Sequence, residues 1–197
     1  GAGTGIGRGV ALQFAAAGAS VALHYAHSEE GARSAADEIR GAGGNAEVFQ
    51  ADLADLDQVR ELAAAALEYL GGIDVLVNNA GVSLNGPLEL LRVADMRTLM
   101  EVNVLGLLAV TKAFIPFLRE ARGRLVNISS GHGLLALPDK SVYAASKFAL
   151  EALSDALRRE LQEELHITVT DFTYFNSYHN RYDYKQVRYP TCDIVYT

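Results

Sequence analysis

Gly1-Ala2-Gly3-Thr4-Gly5-Ile6-Gly7 runs directly into residues 6–17, whose apolar periodicity predicts a helix. Gly1, Gly5 and Gly7 form a GxxxGxG spacing. Glycines so placed permit a tight turn, let backbone N–H groups approach a pyrophosphate, and bring helix close to strand. The helix N-terminus adds a preference for negative charge. A glycine turn before a helix is also a common structural device, so the pattern needs support from the rest of the chain.

Alternation supplies that support. Residues 20–25, Ala46–Gln50, 73–78, 124–129 and 166–172 read as short strands, and residues 6–17, 29–42, 56–70, 95–119 and 141–164 read as helices between them. The last two helices are long and apolar on more than one side. Strands alternating with helices predict an α/β chain, a Rossmann-type doubly wound parallel sheet in three α/β/α layers. No repeat of fixed period and no low-complexity linker divides residues 1–172, which are expected to form one domain. From Thr173 to Thr197 the character changes: Tyr174, Tyr178, Tyr182, Tyr184, Tyr189 and Tyr196 crowd an atypical tail through which no amphipathic helix can be drawn.

Composition narrows the function classes. The 197 residues are 50% hydrophobic and 21% charged, with a net charge of −7 and both signs interspersed. That excludes global disorder, and it offers neither a basic stripe for nucleic acid nor a cationic amphipathic helix for a membrane surface. No run of eighteen uninterrupted apolar residues is present, and Gly1-Ala2-Gly3 stands where a charged signal-peptide start would be, so no membrane targeting is expected. The single cysteine, Cys192, allows no internal disulfide and no cysteine metal site, so a cytoplasmic location is expected.

Further features fall at successive strand ends. Asp52, followed by Leu53, comes just after Ala46–Gln50, where its carboxylate could accept from an adenine amino group; Asn78-Asn79-Ala80-Gly81 closes the next strand. Taken singly, the first is as readily a helix cap and the second a turn. The most specific pattern is Tyr143-Ala144-Ala145-Ser146-Lys147, thirteen residues after Ser130. Tyr143 and Lys147 stand at i and i+4 on one helix face, and Ser130 ends the preceding strand. A phenol that is to exchange protons near neutrality needs a neighbouring positive charge, which Lys147 provides. His132 fits a substrate mouth better than a base. His24 and His27 lack the carboxylates a metal site would need, and no metal is expected.

These residues resemble the classical short-chain dehydrogenase/reductase family from Gly1 to about Asp171. The glycine turn is similar to its cofactor fingerprint, Asn78-Asn79-Ala80-Gly81 to its strand-four motif, and Ser130 with Tyr143-x-x-x-Lys147 to its active site; Asn103 matches its helix-borne asparagine. The resemblance implies an oxidoreductase that moves a hydride between NAD(P)(H) and a carbonyl or secondary alcohol. Tyr143 would be the general acid/base and Ser130 would bond the substrate oxygen. Lys147 would hold the nicotinamide ribose and lower the tyrosine pKa, and Asn103 would position a relay water. Cofactor contacts would come from Gly1, Gly3, Thr4, Gly5, Ile6 and Gly7, from Tyr25, Asp52 and Leu53, from Asn79, Ala80 and Gly81, and from Tyr143 and Lys147. Tyr25 stands where NAD-preferring relatives carry an acidic residue, which points to NADP over NAD, with His27 or Arg33 as phosphate partners. Helices 95–119 and 141–164 would pair across a two-fold axis in a homodimer.

Two departures leave alternatives. The family carries a central strand before the glycine turn, and a Pro-Gly pair with a substrate-covering segment where Thr173-Tyr174-Phe175-Asn176 stands here. One expectation is that residues 194–197 fill the central slot, as in a circular permutant; the other is that the tail is an unrelated extension. A noncatalytic Rossmann-type binding or association module, or an inactive fragment, remains the second functional reading.

Overall fold

A computed structural model describes residues 1–172. The elements run α1 (Gly5–Ala16), β1 (Val21–Tyr25), α2 (Glu29–Gly41), β2 (Ala46–Gln50), α3 (Leu56–Leu70), β3 (Val75–Asn78), α4 (Val93–Met100), a π-helical turn (Glu101–Gly106), α5 (Leu107–Ala121), β4 (Arg124–Ile128), α6 (Ser141–Leu165) and β5 (Thr168–Phe172). Short 3-10 turns at Leu88–Leu90 and Gly131–Gly133 complete it. Every strand pair is parallel, each joined through at least one helix.

Side-chain alternation makes three layers. Val21, Leu23, Ala46 and Val48 pack into a core with Ala11 of α1 and Ala35, Ala36 and Ile39 of α2. Ala22 and Phe49, one residue out of phase, pack into a second core built from α3, α5, β3, β4 and β5. Because successive strand residues face opposite sides, the two cores lie on opposite faces of β1–β2. In α5 the buried residues Leu107, Val110, Phe114 and Leu118 form one stripe at helical spacing. By length and mean hydropathy Val93–Ala121 could cross a bilayer, yet this stripe is packed into the core. Val93 and Leu105, 70% and 57% exposed, lie on its outer side.

Two sequence expectations are corrected. Strand 73–78 begins only at Val75, because Ile73 and Asp74 precede the pairing of Val75 with Arg124. Helix 95–119 is not one uninterrupted α-helix: it starts at Val93 and is widened by the π turn around Asn103 before continuing as α5. Among the described residues the strands pair as β1–β2 and β3–β4–β5, parallel throughout and flanked by helices, as the doubly wound reading expects.

Among the described residues, no strand lies between β1 and β3. That position is bordered by Val21 and Ala22 of β1, Val75 and Val77 of β3, and Phe14 and Phe114 of the covering helices. Ala2 N donates to His24 O at 2.8 Å, so the chain enters the glycine turn at the carboxyl end of this slot. The segment 194–197 expected to fill it lies outside the described residues.

Register places the working ends of the strands side by side. Asn78 of β3 pairs with Asn127 of β4, so the Asn79-Ala80-Gly81 turn and the Ser129-Ser130 segment leave the same edge. The side chains reinforce this: Asn78 Nδ2 donates to Asn127 Oδ1 and to Thr111 Oγ1 of α5, both at 2.9 Å, and Asn127 Nδ2 donates to Ser154 Oγ of α6 at 2.9 Å. All four residues are buried, and buried polar groups are tolerated when bonded in this way.

Candidate active site

The glycine turn is built for contact. A Cβ on Gly7 would sit 2.1 Å from Gly1 O and 2.5 Å from Asn79 Nδ2, and one on Gly3 would sit 2.9 Å from Ser28 O. Gly5 differs, with φ of +55° and open space where a side chain would be. The N-cap residue of α1, Thr4, makes no side-chain capping bond, and the first turn carries no acidic residue. The positive end of the helix dipole therefore faces open space beyond Gly5, an arrangement suited to an anion. Thr4 and Ile6 are exposed beside it.

Other expected cofactor residues have local partners. Asn79 Nδ2 donates to Gly1 O at 2.8 Å, tying the turn after β3 to the glycine turn. Asp52 is exposed and accepts from Ala54 N at 3.0 Å, while Leu53 is buried beneath Gly106 of the π turn. Tyr25 is buried at the end of β1. His27 is exposed, and Arg33 pairs with Glu29 at 2.7 Å. Among the described residues, no group of three or more His, Cys, Asp or Glu side chains could hold a metal ion.

The catalytic candidates converge where β4 meets α6. Ser130 caps the Gly131–Gly133 turn, its Oγ accepting from His132 N at 3.2 Å. The His132 ring meets Tyr143 edge-on, with centroids 5.8 Å apart. Lys147 Nζ lies 5.9 Å from the Tyr143 ring centroid and donates to Ile128 O at 3.0 Å. Lys147 is only 7% exposed; burial holds its ammonium below the usual lysine range, and the charge of Glu151 opposes that effect.

Asn103 is reached through the π turn. Its Oδ1 accepts from Val82 N at 2.8 Å, and its Nδ2 donates to Val82 O at 2.9 Å and to Ser146 Oγ at 3.1 Å. Both amide N–H groups are thus spent on the protein, so a water bound here would use an acceptor oxygen. Ser146 Oγ in turn donates to Tyr143 O at 2.7 Å. Sequence reading passed over Ser146, whose place three residues from Tyr143 on the same helix was the available signal.

Residues 1–180 match the sequence profile described as short chain dehydrogenase. The chain belongs to that family. It is 40% identical over 161 residues to an uncharacterised oxidoreductase of Methylorubrum extorquens, covering 82% of this chain and 64% of that protein, and so spans under two thirds of that relative. The fold is similar to the crystal structure of a metagenomic short-chain oxidoreductase in complex with NADP, with TM-score 0.83 and 35% identity over 89% of this chain and 80% of the other. A Burkholderia phymatum short-chain dehydrogenase/reductase in complex with NAD aligns with TM-score 0.83 and 32% identity, over 88% and 62%.

A nicotinamide dinucleotide is the cofactor that membership implies, and the residues present fit it. The clearance over Gly5, the close packing at Gly3 and Gly7 and the uncapped α1 N-terminus make a cradle for a pyrophosphate.

His24 sits beside this cradle, Nε2 2.9 Å from Ala51 O and Nδ1 3.0 Å from the Gly1 nitrogen. Burial pushes its pKa down to about 4 from the ordinary 6.5. The folded form thus disfavours a proton that the unfolded chain accepts. Stability from this group is complete above pH 6.5 and is lost as pH falls towards 4, by up to about 3 kcal/mol. His24→Gln should flatten urea-denaturation stability between pH 6.5 and 4; parallel curves for parent and variant would show that His24 is not responsible.

Proposed function

We propose that this chain is the nucleotide-binding and catalytic part of an oxidoreductase acting reversibly on a carbonyl or secondary alcohol, with NADP as its cofactor. The observation that carries the reading is the convergence of Ser130, Tyr143 and Lys147 at the carboxyl end of β4, next to Asn103 and the glycine turn. When bound, the dinucleotide supplies or accepts the hydride. In reduction, the Tyr143 phenol gives its proton to the developing alkoxide, and in oxidation it takes the proton back. Ser130 donates a hydrogen bond to the same oxygen. Lys147 favours the phenolate through its charge, and with one N–H on Ile128 O it keeps two more for the ribose. Asn103 and Ser146 hold the turn after β3 against α6, and Thr4, Gly5 and Ile6 receive the pyrophosphate.

Tyr143→Phe removes the proton donor and keeps the ring, so turnover should fall by about 10²-fold or more with cofactor affinity little changed. Oxidation of reduced nicotinamide, followed by absorbance over a panel of ketones, checks this. Full activity in the variant would remove Tyr143 from the role, and cofactor binding without turnover of any substrate would favour the noncatalytic module.

The preference for NADP rests on what ends β1. Tyr25, Ala26 and His27 bring no carboxylate to repel a 2′-phosphate, and the Ser28 hydroxyl at the α2 N-terminus makes no capping bond. Glu29 and Glu30 in the first turn act against this, and Glu29 already holds Arg33, which leaves His27 and Ser28 as the phosphate partners. Calorimetric titration should give a lower dissociation constant for NADP than for NAD; the reverse order overturns the assignment.

Assembly as a homodimer is the companion reading. Val93, Leu105 and Phe148, the last 45% exposed, put apolar surface on α4, the π turn and α6, the helices expected to pair across a two-fold axis. Light scattering at micromolar concentration should return twice the chain mass, and a monomer contradicts the pairing.

A further inference from the structure

Glu151 is a carboxylate that the proposed chemistry leaves unused. It follows Tyr143 and Lys147 at i+8 and i+4, on the same stripe of α6. Lys147 fastens this stripe to the end of β4 through Ile128 O. One helical turn further along, the backbone after Ser130 comes down on Glu151: a Cβ on the buried Gly133 would lie 3.0 Å from both Cγ and Oε1 of Glu151. The same point is 2.9 Å from Ser129 Oγ, a buried hydroxyl that makes no hydrogen bond among the described residues. Glycine at 133 is therefore what lets the turn carrying Ser130 rest on the carboxylate.

The surroundings of Lys147 make Glu151's charge count. On α6, within two turns of Lys147 along its own stripe, the titratable groups are Tyr143 and Glu151. Beside Tyr143 the 3-10 turn brings His132, β4 brings the Ile128 carbonyl, the π turn brings the Asn103 amide, and the turn after β3 brings the backbone of Gly81. Glu151 supplies the negative charge that acts on Lys147 in this buried setting.

We propose that Glu151 is a positioning residue of the active site, its carboxylate seating the Ser130 turn on α6 through Gly133 and facing the Lys147 ammonium as its counter-charge. The inference takes its meaning from the catalytic reading of Ser130 and Lys147, but both effects belong to the folded protein and can be read without turnover. Glu151→Gln keeps the shape and removes the charge. In the full chain, NMR titration of the Lys147 side chain should then show its midpoint lowered. Hydrogen exchange at Gly131–Gly133 should accelerate by about tenfold. Glu151→Asp should restore the titration in part. A Lys147 midpoint equal to the parent's, or unchanged exchange in the turn, overturns the proposal, because the first leaves Glu151 a structural support only and the second removes it from the turn. Should Glu151→Gln not fold, Gly133→Ala carries the test: its methyl displaces the carboxylate, and the same two readouts should move in the same directions, with no movement in either again overturning it. Activity retained in Tyr143→Phe would defeat the catalytic reading while leaving both measurements standing.

Discussion

A buried amide pair sets the geometry on which the site depends. Asn78 and Asn127 are directly paired in the β3–β4 register, and their side chains bond to each other, to Thr111 on α5 and to Ser154 on α6. Two strands and two helices thus meet through groups that cannot be left unbonded without a desolvation penalty. A slip of one residue in β3 against β4 would turn Asn78 onto the opposite face and leave Asn127 and Thr111 without the bonds it supplies. Hydrophobic contacts alone would tolerate more variation, since Leu and Val offer no directional bond.

From that fixed register the chemistry is passed outward by helices. α6 holds Tyr143 and Lys147 over the end of β4, and the π turn widens the long helix where Asn103 must reach both Val82 and Ser146. A regular α-helix keeps its i→i−4 ladder intact, and an extra residue in one turn alters which side chains face inward at that point. Lys147 pays for its placement in desolvation, partly offset by the Ile128 carbonyl and the charge of Glu151.

Much of this was legible in the residues. The strand Ala46–Gln50 and the helix beginning at Ser141 were read at their observed bounds or within one residue, because alternation and helical period are local signals. Tyr143 and Lys147 were readable for the same reason, as i and i+4 on one helix. The π turn was not, since apolar spacing through Glu101–Gly106 looks continuous with the flanking helices. Nor was the tie between Asn103 and Ser146, which joins residues 43 apart, or the pressing of Gly133 onto Glu151. Contacts of that kind arise from packing of distant elements and leave no periodic trace.

The two buried clusters also bear on how the molecule opens. Cooperative units end where continuous packing ends. One core gathers Leu23, Ala35, Ala36 and Ile39 around β1 and β2, and the other gathers Leu76, Leu118, Leu125 and Val169 around β3, β4 and β5. Ala22 and Phe49 carry packing from the first sheet into the second core, so a disturbance at either residue reaches the half that holds Tyr143 and Lys147.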